Sequence, residues 1–133
     1  MLRGERPVLF ATARLAADIG FADITHEWYN PDGHFYGNQT GFSDNSNRHR
    51  ISAPKQAVLG NFLRKQYLVS AGAFDAGFGA YYWSIEHLVL MGWKRESVLE
   101  KRWLYDTWED AMEDCLQAAI SEIKLRSLSV DQS

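Results

Sequence analysis

The stretch TWEDAMEDCLQAAISEIKL, Thr107 to Leu125, decides how this chain folds. Trp108, Ala111/Met112, Cys115/Leu116, Ala119/Ile120 and Ile123 recur at alternating three- and four-residue spacing, which puts them on one face of an α-helix. Such a stripe is stable in water only when another apolar surface covers it. Thr107 suits the N-cap, where its hydroxyl can take an orphan backbone N–H. Glu109, Asp110, Glu113 and Asp114 crowd the first turns, and Lys124 and Arg126 stand near the end, each sign complementing its end of the helix dipole. The tail, residues 127–133, reads as frayed.

The covering surface is sought upstream. Ala80 to Met91 alternates as a strand, with Tyr81, Trp83, Ile85, His87 and Val89 on the face expected to meet the core and Tyr82, Ser84 and Glu86 on the other. Leu68 to Phe74 reads as a strand joined to it by the turn Asp75-Ala76-Gly77-Phe78-Gly79, and Val98 to Tyr105 as an edge strand. Ser52-Ala53-Pro54 reads as a helix start with Ser52 as N-cap. Val58/Leu59, Phe62/Leu63 and Gln66/Tyr67 would then form its stripe, with Arg64 and Lys65 outward. Thr25 to Gly37 is a hairpin around Asn30-Pro31-Asp32-Gly33, and Ala11 to Ile19 a short helix facing inward through Ala11, Leu15 and Ile19 and closed by Gly20. Residues 38–50, rich in Asn, Ser and Arg, read as a mobile surface loop. The sum is an α+β domain spanning 1–133: a small antiparallel sheet, hairpin plus two or three strands, packed against two or three helices.

Composition sets exclusions. The 133 residues suffice for one core, and 46% hydrophobic with 23% charged residues describe a chain that folds. The net charge of −3 argues against a dedicated nucleic-acid module, which needs a basic excess to displace counterions. One cysteine, Cys115, gives no intrachain disulfide and no thiolate zinc site; its place in the helix stripe makes it a buried thiol. No signal h-region and no apolar run long enough for a bilayer are present, so a cytoplasmic protein with no membrane contact is expected.

Two groups of residues invite a binding reading. Trp28 and Tyr36 fall on one face of the hairpin, an aromatic surface on which a ligand could stack, or a face that packs under the first helix. Arg48 and Arg50 precede the expected helix start at Ser52, where free N–H groups would favour a phosphate; solvated charge is the plainer alternative. Together Trp28, Tyr36, Arg48, Arg50 and Ser52 would form a nucleotide site. His26 and His34 lie too far along the hairpin to share a metal, so no metal or other cofactor is expected. No catalytic motif is present: His-Glu-x-x-His, a nucleophile elbow and a phosphate loop are all missing, and no catalytic residue is assigned.

Val8 to Phe21 followed by an aromatic stretch and the Asn-Pro-Asp-Gly turn, Ile51-Ser52-Ala53-Pro54 with Phe62-Leu63-Arg64-Lys65, and Tyr105-Asp106-Thr107-Trp108-Glu109-Asp110-Ala111 leading into Leu116 occur in an order that covers most of the chain. In that order the chain resembles small uncharacterised proteins encoded by bacteriophages and prophages of Bacteroides-like gut bacteria. Where those proteins carry Trp before Leu-Arg and Glu after it, this chain has Phe62 and Lys65. The resemblance implies a phage or prophage origin and the host cytosol, and it brings no activity or site residues. With no catalytic motif, the expectation is a non-enzymatic accessory protein that binds a host or phage protein, the nucleotide-binding protein being the alternative.

Overall fold

The computed structural model describes the backbone of residues 3–37, 41–89 and 94–131, and the side chains of the same residues apart from 88, 89, 94–104 and 127–131. In chain order the elements are α1 (Phe10–Asp18), β1 (Trp28–Tyr29), β2 (Phe35–Tyr36), β3 (Ile51–Ser52), α2 (Gln56–Tyr67), β4 (Val69–Gly77), β5 (Ala80–Val89), β6 (Lys94–Tyr105) and α3 (Trp108–Asp131). The class is α+β, and the strands divide between two antiparallel sheets, ordered β2-β1-β3 and β4-β5-β6. Contacts group the chain into two compact units, Met1–Val58 and Leu59–Ser133.

In the first unit, α1 ends as the sequence indicates. Gly20 takes φ +91°, and Gly20 N–H and Phe21 N–H donate to Ala17 O and Ala16 O at 3.1 and 3.0 Å, the paired bonds of a Schellman cap. The buried face differs from the expected one: Thr12, Ala13 and Ala16 are inside and Ala11 is exposed. These small side chains let α1 approach β3 closely, a selection that counting large apolar residues does not capture.

The hairpin turns at Asn30, whose carbonyl accepts Gly33 N–H at 2.9 Å while Gly33 sits at φ +93°. This is a type I turn followed by a left-handed residue, and the Asn30 Oδ1 accepts from Asp32 N–H and His34 N–H at 3.0 and 2.9 Å. A Cβ at Gly33 would stand 3.2 Å from the Phe10 ring. β3 then joins the other side of β1, pairing Trp28 with Ser52 and Tyr29 with Ile51.

Ser52 is therefore a strand residue and not a helix N-cap, and α2 begins at Gln56. Pro54 disfavours helical geometry at the residue before it, which keeps Ala53 in line with the strand; Ala53 N–H donates to Glu27 O at 3.0 Å. The N-terminal segment runs beside this link: Val8 N–H donates to Pro54 O at 2.9 Å, and Gly4 O and Arg6 O accept Ala57 N–H and Gln56 N–H at 2.9 and 3.0 Å.

Residues 41–50 are stitched by hydrogen bonds where the sequence suggests a mobile loop. Ser43 is buried and pairs with Thr25 through two backbone bonds of 2.8 Å, while its Oγ donates to Arg50 O at 2.7 Å. Asn45, at φ +66°, donates from Nδ2 to Phe21 O at 2.7 Å and accepts Ser52 N–H on Oδ1 at 2.8 Å. The Asn38-Gln39-Thr40 part of that loop lies outside the described residues.

In the second unit, β4 and β5 pair from Val69↔His87 to Gly77↔Ala80 with a bulge between Asp75 and Gly77. Trp83 and Ile85 are buried, as their alternation requires, and α3 lies across β4 and β5. Its inward stripe follows the sequence from Ala111 onward, with Ala111, Met112, Cys115, Leu116, Ala119, Ile120 and Ile123 all buried, while Trp108 is half-buried and donates from Nε1 to Ala73 O at 3.0 Å. Thr107 Oγ1 accepts Asp110 N–H at 3.1 Å, which makes it the N-cap. Helical backbone continues to Asp131, past the expected fraying point, and residues 132 and 133 fall outside the description. Among the described residues no helix is long and apolar enough to cross a membrane.

Candidate functional site

Four of the five residues read as a nucleotide site come together around Trp28, which pairs with Tyr36 on one side and Ser52 on the other and carries Arg50 over its ring; Arg48 stands apart. Trp28 and Tyr36 face each other across β1 and β2 and stack at 4.3 Å between ring centroids, tilted by only 13°. A base entering between them would have to part the rings by roughly 3.5 Å, one carbon contact distance. The Arg50 guanidinium lies 4.7 Å from the centre of the Trp28 ring and donates to Phe42 O at 3.1 Å, so both its charge and its hydrogen bonding serve the fold. Ser52 is buried and donates to Ser43 Oγ at 3.1 Å. Arg48 is exposed. The helix start that was to bind a phosphate is displaced to Gln56, and its first two N–H groups already donate to Arg6 O and Gly4 O. The face that packs toward α1 is the opposite one, where the Tyr29 ring meets Phe10 at 5.4 Å and its hydroxyl donates to Val8 O at 2.8 Å.

A cleft of about 260 Å³ opens elsewhere in the same unit, between residues 24–27 and 53–58. Ala53 and Pro54 form its buried floor, and the exposed side chains of Ile24 and Val58 flank it. His26, Glu27 and Lys55 line it as well. Among the described residues no group of three or more His, Cys, Asp or Glu side chains is placed to hold a metal ion.

The second unit carries an aromatic projection. Gly77 pairs with Ala80, leaving Phe78 and Gly79 as a two-residue turn at φ +55° and +75°. Positive φ at both centres is the type I′ turn that suits hairpin twist, and Asn-Gly is the pair that adopts it most readily. Here the first centre is Phe78, wholly exposed to solvent. Phe74 is also exposed; its ring folds over Gly72 and lies 5.6 Å from that of its cross-strand partner Tyr82. The sequence shows Phe78 only as part of a glycine-rich turn, because neither its left-handed backbone nor its exposure has a periodic signature.

The remaining chemically capable groups are structural. Cys115 is buried with Sγ 3.7 Å from Gly72 O and 3.6 Å from Ser84 O, and burial pushes its thiol up to about 12, far from a nucleophile's range. Trp83 Nε1 donates to the Tyr105 hydroxyl at 3.1 Å, which donates to Asp114 Oδ2 at 2.8 Å. Burial first, and then the Asp114 carboxylate, raise the Tyr105 phenol, so it stays a donor that ties β6 to α3. No protein-family model, curated protein or solved structure matches the chain.

Proposed function

We propose that this chain is a non-catalytic accessory protein, of the phage-encoded kind its sequence resembles, that works by docking a protein partner onto the tip of the β4–β5 hairpin. The observation that carries the reading is Phe78: fully exposed, at φ +55°, in a turn where asparagine would be both better tolerated and more soluble. A large apolar side chain held in that conformation costs the folded state and gives it no burial in return. Its placement is accounted for if a partner buries it. Phe74 and Tyr82, paired further down the same hairpin, add aromatic surface of the kind that interface anchors use. A protein pocket suits this tip better than an anionic lipid surface, because Asp75 stands in the same hairpin and the chain carries a net charge of −3.

Burying one phenylalanine contributes about 1.5–3 kcal/mol, or roughly ten- to a hundredfold in affinity. Capture from native host lysate with the wild-type chain and with Phe78→Asn tests the reading. A discrete partner retained by the wild type and lost by the variant supports it. Recovery of no discrete partner, or equal recovery by both proteins, contradicts it.

A further inference from the structure

The cleft between residues 24–27 and 53–58 has a chemistry separate from the hairpin tip. Its two walls carry opposite charges: Glu27 on the strand side and Lys55 on the helix side. Neither side chain has a hydrogen-bond or ion-pair partner among the described residues. Glu27 is half-buried and Lys55 is exposed, so both charges are open to a ligand from solvent. The Glu27 carbonyl is already engaged, accepting Ala53 N–H at 3.0 Å and the Thr25 hydroxyl at 2.8 Å. The first N–H groups of α2 are taken by the N-terminal segment. Recognition therefore falls to the side chains, with Ile24 and Val58 as exposed aliphatic flanks.

We propose that this cleft binds a small aliphatic zwitterion, its ammonium on Glu27, its carboxylate on Lys55 and its branched apolar body between Ile24 and Val58. A free branched-chain amino acid and a short dipeptide share that chemistry, and about 260 Å³ open to solvent admits either. The site does not depend on the docking role of Phe78.

Titration of the isotopically labelled full chain with leucine and with leucyl-leucine, followed by amide NMR, tests the proposal. Saturable shifts confined to residues 24–27 and 53–58 are expected, and the tighter of the two ligands identifies the source. Leucinamide, which lacks the anion, and N-acetyl-leucine, which lacks the cation, should each bind about tenfold more weakly. Glu27→Gln should weaken leucine about tenfold and leave N-acetyl-leucine within about twofold, and Lys55→Gln should do the converse with leucinamide. Both substitutions are at side chains without partners, so unchanged amide spectra elsewhere will show that the variants fold. Absence of saturable shifts with both leucine and leucyl-leucine overturns the proposal. So does binding of leucinamide and N-acetyl-leucine as tight as that of leucine.

Discussion

Phe78→Asn should stabilise the protein while removing its proposed activity, and the size of the gain follows from the turn. Phe78 occupies the first centre of the type I′ turn at φ +55°, where a residue with a Cβ carries a penalty of about 1–2 kcal/mol. Asparagine relieves part of that penalty because its short side chain bonds locally, and the change creates the favoured Asn-Gly pair with Gly79. The phenylalanine is wholly exposed, so its removal forfeits no burial. The net expectation is a stabilisation of about 0.5–1 kcal/mol, seen as a rise of about 2–4 °C in the melting midpoint for a chain this size. Thermal unfolding followed by circular dichroism, with urea unfolding as a second measure, gives the number. A fall of more than about 1 kcal/mol would show that Phe78 packs against the fold, and the docking reading would lose its basis.

Other perturbations probe the two units separately. Leu116→Ala, at a fully buried position in the α3 stripe, should cost about 2–5 kcal/mol in urea unfolding. Asn45→Ala removes the bond to Phe21 O and strands the Ser52 N–H, so a loss of about 2–3 kcal/mol is expected, with hydrogen exchange quickening first at Ser52. Cys115 adds a pH dependence of definite sign. Its thiol is held up at about 12 when folded against 9.0 ordinarily, so the folded state keeps the proton and stability declines as pH rises from about 9 toward 12. Between about pH 8 and about pH 10.5 the wild type should lose roughly 2 kcal/mol more than Cys115→Ala; an equal loss in both proteins would contradict burial of the thiol.

Long periodic elements were legible from sequence because one physical rule governs each of them. The α3 stripe, the alternation around Trp83 and Ile85, the Thr107 cap, the Gly20 cap and the Asn30–Gly33 turn all depend on contacts within a few residues or on a single repeated face. The start of α2 was not legible in this way. Ser52 satisfies every local requirement of an N-cap, yet its pairing with Trp28 and the carbonyls supplied by Gly4 and Arg6 come from far along the chain. The polar run around Ser43 and Asn45 misleads for the same reason: side chains that look solvated are the partners that β3 and Phe21 require. The stacking of Trp28 on Tyr36 was visible as a shared face, but its closure by Arg50 was not. Neither the cleft nor the exposure of Phe78 leaves a pattern in sequence, since one is a gap between distant segments and the other a backbone conformation.

The most direct measurement is photocrosslinking from the tip itself. A photoreactive phenylalanine analogue at position 78 keeps the side chain's shape, and the same analogue at the exposed Lys65 position on α2 serves as reference. The docking account predicts one discrete protein adduct from position 78, absent from position 65 and suppressed by excess unlabelled wild-type chain but not by excess Phe78→Asn. No adduct from position 78, or the same set of adducts from both positions, would contradict it.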